Sequence, residues 1–231
     1  MTKPVEQAAD VGTEQRILDA AHAVFLRAGT ASATLQDVAD EAGVARTLLH
    51  YYFRNKERLA EAVFQRAAGQ VFPAVAEILA SDVGIEDKVQ RVVAHYVDEL
   101  ARAPYLAGYV ICELNQHPER ITRFFGGEAA RPEERVAGSR AGAPAAGGRG
   151  QLRARARVVL GEQLRARARE GTLRAITVEQ FLVNLMALCI FPFAARPMVE
   201  AMLGMGDAAF RRFVAQRRKE LPTFFLKALQ P

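Results

Sequence analysis

The chain has no tryptophan, only two cysteines and only four histidines among its 231 residues. Cys112 and Cys189 each sit in an apolar run, so they can form neither a disulfide framework nor a four-ligand zinc site, and they suit a reducing compartment. His22, His50, His95 and His117 are scattered along the chain, so no metal and no cofactor is expected. No nucleophile beside a base and no phosphate-binding loop is legible, so no catalytic residue is assigned and the chain is not expected to be an enzyme. Long apolar runs are missing as well. The longest, 181–195, is interrupted by Asn184 and Pro192, and the first sixteen residues lack the apolar core of a secretory signal. Neither export nor a membrane span is expected, which makes the cytoplasm the expected compartment. Nowhere does hydrophobic alternate with polar as in a half-buried strand.

What is present is the material of a globular helical protein: 50% hydrophobic and 25% charged residues, with a mean hydropathy of −0.02. Such a composition excludes disorder over the whole length. The net charge of +5 points to an anionic partner, but its distribution does not locate one. Residues 1–60 carry −1 and 61–115 carry −4, whereas 116–175 carry +7 and 176–231 carry +3.

Apolar residues recur at three- and four-residue steps, which predicts an all-α fold. A first helix over 13–28 places Ile17, Ala21, Val24 and Phe25 on one face and stops at Gly29. Thr34 and Asp37 open a short helix to 42. Gly43 then makes a tight turn, and a second short helix covers 45–53. Asn55 caps a fourth helix, expected to end near Val71 ahead of Pro73. Further helices are expected over 85–101, 104–116 and 118–125. The segment 126–150 holds seven glycines and seven alanines, with Val136 as its one sizeable apolar side chain. It is expected to be a mobile loop, because it cannot offset its ordering entropy.

Helical text resumes over 151–171. Its alternating arginines spread around the cylinder and read as a solvated face, not as a nucleic-acid stripe. Thr177 to Gln180 is a capping box that opens a helix to 191, with Pro192 and Pro197 as breaks. That helix is apolar on two sides: Phe181, Leu182, Leu185 and Cys189 on one, Val183, Met186, Ala187, Ile190 and Phe191 on the other. A partner subunit is the economical cover, with Leu185 placed in the contact. A last helix over 207–221 would complete a four-helix interface with a second copy.

Within 13–64 stand Ile17, Ala20, Ala21 and Phe25, then Gly29, then Thr34-Leu35-Gln36-Asp37-Val38-Ala39 and Ala42-Gly43-Val44. Leu49-His50-Tyr51-Tyr52-Phe53, Asn55-Lys56-Glu57 and Leu59 follow. In these residues and their spacing the stretch resembles the N-terminal DNA-binding domain of the TetR/AcrR family of bacterial transcriptional regulators. The resemblance implies a three-helix helix-turn-helix domain over 11–71 and a larger helical ligand-binding and dimerisation domain over 72–231. Independently, a recognition helix offers its early exposed positions to base edges, which selects Arg46, Thr47 and His50. Tyr51 and Thr34 are expected on the phosphate backbone. Resemblance adds Gln36 as a base contact and Lys56 as a backbone contact. Tyr52 and Phe53 read as core aromatics. Leu48 stands where the family more often has a small hydroxylated residue, so no polar contact is carried over to it.

The resemblance also implies an operator of double-stranded DNA, a homodimer, and a small molecule held among the C-terminal helices. Binding of that molecule would shift the spacing of the two recognition helices and release the operator. Pocket candidates by size and polarisability are Tyr96, Tyr105, Tyr109, Cys112, Phe124 and Phe181, each of which reads equally well as core packing. The alternative reading is a helical adaptor that binds another protein through its apolar C-terminal helices and retains only vestigial DNA binding.

Overall fold

The computed structural model describes residues 4–104, 106–126 and 146–231, with side chains described from Gly12 onward except at 126, 146 and 147. Among these residues there are eleven helices and no strand: α1 (Pro4–Ala28), α2 (Leu35–Ala42), α3 (Arg46–Phe53), α4 (Lys56–Ala80), α5 (Ile85–Arg102), α6 (Leu106–Gln116), α7 (Glu119–Gly126), α8 (Ala146–Arg169), α9 (Val178–Ala194), α10 (Arg196–Leu203) and α11 (Asp207–Lys227). The all-α expectation holds. No single helix among the described residues is long and apolar enough to cross a membrane.

The first three helices and the start of α4 share a core of Ile17, Ala21, Val24, Phe25, Val38, Ala39, Leu49, Phe53, Leu59 and Val63, all at most 2% exposed. Behind this unit α4 packs along α5 and α8, α5 meets α9 and α11, and α6 meets α9. The continuous helix α4 thus runs through the expected domain boundary at 71/72. Lys88 closes its far end. The side chain is fully buried, and Nζ donates to the Leu79 carbonyl (2.8 Å) and to Gln163 Oε1 (2.7 Å), placing a cation at the negative end of α4 and tying α8 to it.

Three expected helix ends are wrong, and for one reason. Pro73, Pro192 and Pro222 each lie inside a helix, so α4 continues to Ala80, α9 to Ala194 and α11 to Lys227. A proline removes one i to i−4 hydrogen bond and strains its turn. Here the flanking side chains Val71 and Val75, Phe193, and Leu221 and Phe225 are buried, and their packing outweighs that loss. Elsewhere α1 begins at Pro4, well before 13, and Pro197, expected as a break, stands in the first turn of α10. Within the expected loop 126–150, Gly126 ends α7 and residues 146–150 already belong to α8; residues 127–145 lie outside the described residues.

Gly43 caps α2 at φ 63°, ψ 40°, and its amide returns to the carbonyls of Ala39 and Asp40. A Cβ there would meet no atom within 4 Å, so a substitution is opposed by backbone conformation alone. Gly43→Ala should lower stability by about 1–2 kcal/mol in urea unfolding. Gly69→Ala, inside α4 and equally free of neighbours, should raise it by roughly 0.5–1 kcal/mol. Equal signs for the two would show that side-chain space decides at Gly43.

Candidate nucleic-acid interface

Two short helices and a fixed turn build the candidate surface. Thr34 caps α2 with a full capping box: its Oγ1 accepts from the Asp37 amide (3.1 Å), and its own amide donates to Asp37 Oδ2 (2.8 Å). These bonds hold the Asp37 carboxyl below the usual carboxylate range. The left-handed turn at Gly43 then sends the chain into α3, whose N-cap Ala45 makes no side-chain bond to the first-turn amides.

Helix α3 is divided cleanly by burial. Leu49 and Phe53 are 1% exposed and pin it to the small core, whereas Arg46, Thr47, His50 and Tyr51 are exposed, Tyr51 to 75%. Positions i, i+1, i+4 and i+5 lie on one side of a helix, so the structure brings these four together. Half-buried Tyr52 packs on the core, and Leu48 is half-buried. His50 Nδ1 lies 2.9 Å from the Arg54 carbonyl. Because that oxygen only accepts, Nδ1 carries a proton in this contact. Arg54 holds the left-handed φ of 60° at the end of α3 and is exposed, a position that sequence reasoning passed over.

Gln36 and Thr34 are exposed at the start of α2, beside this face. Gln36 Nε2 donates to Asp40 Oδ1 (2.7 Å), so its amide must turn away from Asp40 to reach a base. Lys56 does something the sequence did not disclose. Its Nζ donates to the Ala31 carbonyl at 2.8 Å, fastening the α1–α2 turn to the start of α4.

The five described pocket candidates lie in different surroundings. Tyr96 and Phe181 are buried in the main core, and the Phe181 ring packs edge-on against Phe225 at 5.2 Å. Tyr96 Oη is buried without a hydrogen-bond partner, so desolvation moves its pKa far upward. Tyr109 sits against His22 of α1, ring centroids 6.1 Å apart, and burial pushes its hydroxyl up to about 12. Phe124 belongs to a separate cluster with Phe64 and Ala68. Cys112 is exposed, and Tyr105 lies outside the described residues. A groove of about 500 Å³ between α8 and α9, lined by Arg157, Val158, Gly161, Arg165 and Val178 among others, contains none of the five described candidates. Among the described residues no group of three potential ligands for a metal ion occurs.

Ion pairs to Glu61 join the small unit to the rest. Arg120 of α7 is 5% exposed; it pairs with the buried Glu113 of α6 and, through Nε at 3.3 Å, with Glu61 of α4. His22 Nε2 is buried with no acceptor or donor, and burial, with Arg66 nearby, lowers its pKa. Because the unfolded chain binds that proton more readily, stability should fall as pH drops below the unfolded value of about 6.5. His22→Phe should flatten that limb of the pH–stability curve; an unchanged slope would assign it elsewhere.

Residues 17–63, from within α1 into α4, match the family model described as bacterial regulatory proteins, tetR family. Over 86 residues, 37% of the chain, it is 36% identical to the HTH-type transcriptional regulator SrpR of Pseudomonas putida and also 36% identical to TtgW, an uncharacterized HTH-type transcriptional regulator of the same species. The matched stretch spans only 38% and 61% of those two relatives. Over almost the whole length the fold resembles that of the ketosteroid transcriptional regulator KstR2 of Mycobacterium tuberculosis, with a TM-score of 0.58 at 14% identity, covering 94% of this chain and 95% of that one. The matched residues include the Thr34 cap, the Gly43 turn and the two-faced helix α3, so it is this N-terminal stretch that is similar to bacterial regulatory proteins of the tetR family.

Proposed function

We propose that the protein is a DNA-binding transcriptional regulator that acts as a homodimer in the cytoplasm and is released from its operator by a small molecule. The observation that carries this reading is the outward face of α3, where Arg46, Thr47, His50 and Tyr51 stand exposed on a helix whose other face is locked into a core. A helix of this size enters the major groove, and a guanidinium at its first turn can grip a guanine through two hydrogen bonds. Thr47 and His50 Nε2 would read neighbouring edges, Gln36 would reach from α2, and Tyr51, Thr34 and Lys56 would hold phosphates. The tether from Lys56 to Ala31 supports that last role, because it fixes the ammonium at the α1–α2 turn beside the reading helix.

A second copy of the chain is the proposed cover for α9. Its inner face is buried against α5 and α11, while Val183, Ala187 and Phe191 form an exposed apolar stripe at four-residue spacing, with Val183 63% and Phe191 51% exposed. Leu185, placed in that contact by the sequence pattern, is 1% exposed in the chain's own core, so the contact belongs to the opposite side of the helix. Two reading helices must then meet half-sites about 34–36 Å apart, and a ligand that favours another spacing lowers operator affinity by population shift.

The test is a gel shift on the chain's own promoter region over a salt series. Arg46→Ala should cost about 1–3 kcal/mol on specific DNA and relax sequence preference, whereas Lys56→Ala should weaken all sequences alike and flatten the salt slope by about one. Equal losses on specific and scrambled DNA with Arg46→Ala would refute its base-reading role. No binding to any DNA would leave the adaptor reading.

A further inference from the structure

The corner between α7 and α8 holds an aromatic cluster separate from the main core. Phe64 and Ala68 of α4 and Phe124 of α7 are buried together, with Phe72, Leu114 and Phe125 half-buried around them. The rings pack edge to face, Phe72 to Phe124 at 5.9 Å and Phe124 to Phe125 at 5.1 Å. Two guanidinium groups from the beginning of α8 close over these rings. Arg149 Cζ stands 4.4 Å from the Phe124 centroid and Arg153 Cζ 5.3 Å from that of Phe125, and their four-residue spacing puts both on one side of the helix.

Neither arginine forms an ion pair with a carboxylate among the described residues, although other arginines of α8, Arg157 and Arg167, do. Arg149 Nε is buried and meets no hydrogen-bond acceptor there, and loss of solvent lowers its pKa. Cation–π contact compensates part of that loss, but a ring face accepts an N–H only weakly. A partly desolvated guanidinium with no carboxylate partner among the described residues is suited to an oxyanion, and the positive end of α8 adds to the same field. The half-buried phenylalanines beside it offer an apolar bed.

We propose that this corner binds a small organic carboxylate, its carboxylate held by Arg149 and Arg153 and its apolar body laid on the half-buried Phe72 and Phe125 rings. The assignment rests on the reading of the chain as a ligand-responsive regulator and supplies its ligand class. Occupancy would register on α4, which contributes Phe64 and Phe72 here and begins, at Lys56, beside the DNA-reading helix.

Calorimetric titration of the full chain with phenylacetate, 3-phenylpropanoate, hexanoate and decanoate, each against its own alcohol and against inorganic phosphate, tests the site. At least one acid should bind about tenfold or more tighter than its alcohol, a difference typical of one charge-assisted contact. Arg149→Gln/Arg153→Gln should erase that preference while leaving alcohol affinity and the circular-dichroism melt unchanged. Equal affinity for every acid and alcohol, no binding by any member, or binding of phosphate as tight as that of the acids would overturn the proposal. So would an acid preference that survives in the double variant. The promoter gel shift separates the two readings: DNA binding without acid preference removes only the carboxylate site, and acid preference without DNA binding removes only the regulator.

Discussion

Replacing Arg120 by methionine should lower the stability of the folded chain by about 3–5 kcal/mol, because it leaves a carboxylate buried without its cation. Glu113 is 2% exposed and Arg120 5%, so water cannot take over when the guanidinium is removed; Glu61, a quarter exposed, can still be solvated. For a chain of this size the melting temperature should fall by on the order of 10 °C. Arg120→Met/Glu113→Leu should recover most of the loss, since a buried ion pair often contributes little net stability compared with apolar side chains of similar volume. If the double variant is as unstable as the sum of the two singles, the pair is not an isolated unit and Glu61 carries more of it. The contact also joins α4, α6 and α7, so the single variant should weaken any ligand response without touching the DNA-reading face.

Glutamate at both Val183 and Phe191 should yield a folded monomer. Both side chains are more than half exposed within the protomer, so the variant's melt as a monomer should not show the collapse expected of a core substitution. A second copy, however, would have to bury two carboxylates in an apolar contact, which it cannot do without expelling them. Loss of the dimer removes the tethered second half-site, and operator affinity should drop by on the order of 10²–10⁴ fold. Sedimentation velocity and the gel shift check the two halves of this prediction. Leu185→Glu provides the contrast: it buries its charge in the protomer's own core and should unfold the chain. A dimer that persists with glutamate at 183 and 191 would move the interface off α9.

The N-terminal unit was legible almost residue by residue because its signals are local. Thr34, Gly43 and Asn55 act through hydrogen bonds and backbone angles within four residues, so their roles do not depend on the distant chain. The same locality gave the two sides of α3. What it concealed at this site were contacts made by the side chains once folded: Lys56 on the Ala31 carbonyl and Gln36 engaged by Asp40.

In the C-terminal part, proline was read as punctuation and three helices ran through it. A proline's penalty is local, but the burial of Val71, Phe193 or Phe225 that offsets it is set by helices far away in the chain. The arginines of 149–169 show the same limit. Periodicity spread those of 151–171 around the cylinder and left Arg149 in the expected loop, and it could not say that Arg149 and Arg153 would lie over phenylalanines of α7 while Arg157 and Arg167 found carboxylates.

By itself, then, the order of residues determined an all-helical chain, the caps and the glycine turn that set α2 against α3, and which side chains α3 presents outward. Tertiary packing decided where the long helices end, which side of α9 is left uncovered, and which guanidinium groups find a counter-charge among the described residues. The division follows range: caps and turns are settled by bonds within one helical turn, whereas the burial of an apolar or charged group depends on surfaces that only the folded chain brings together.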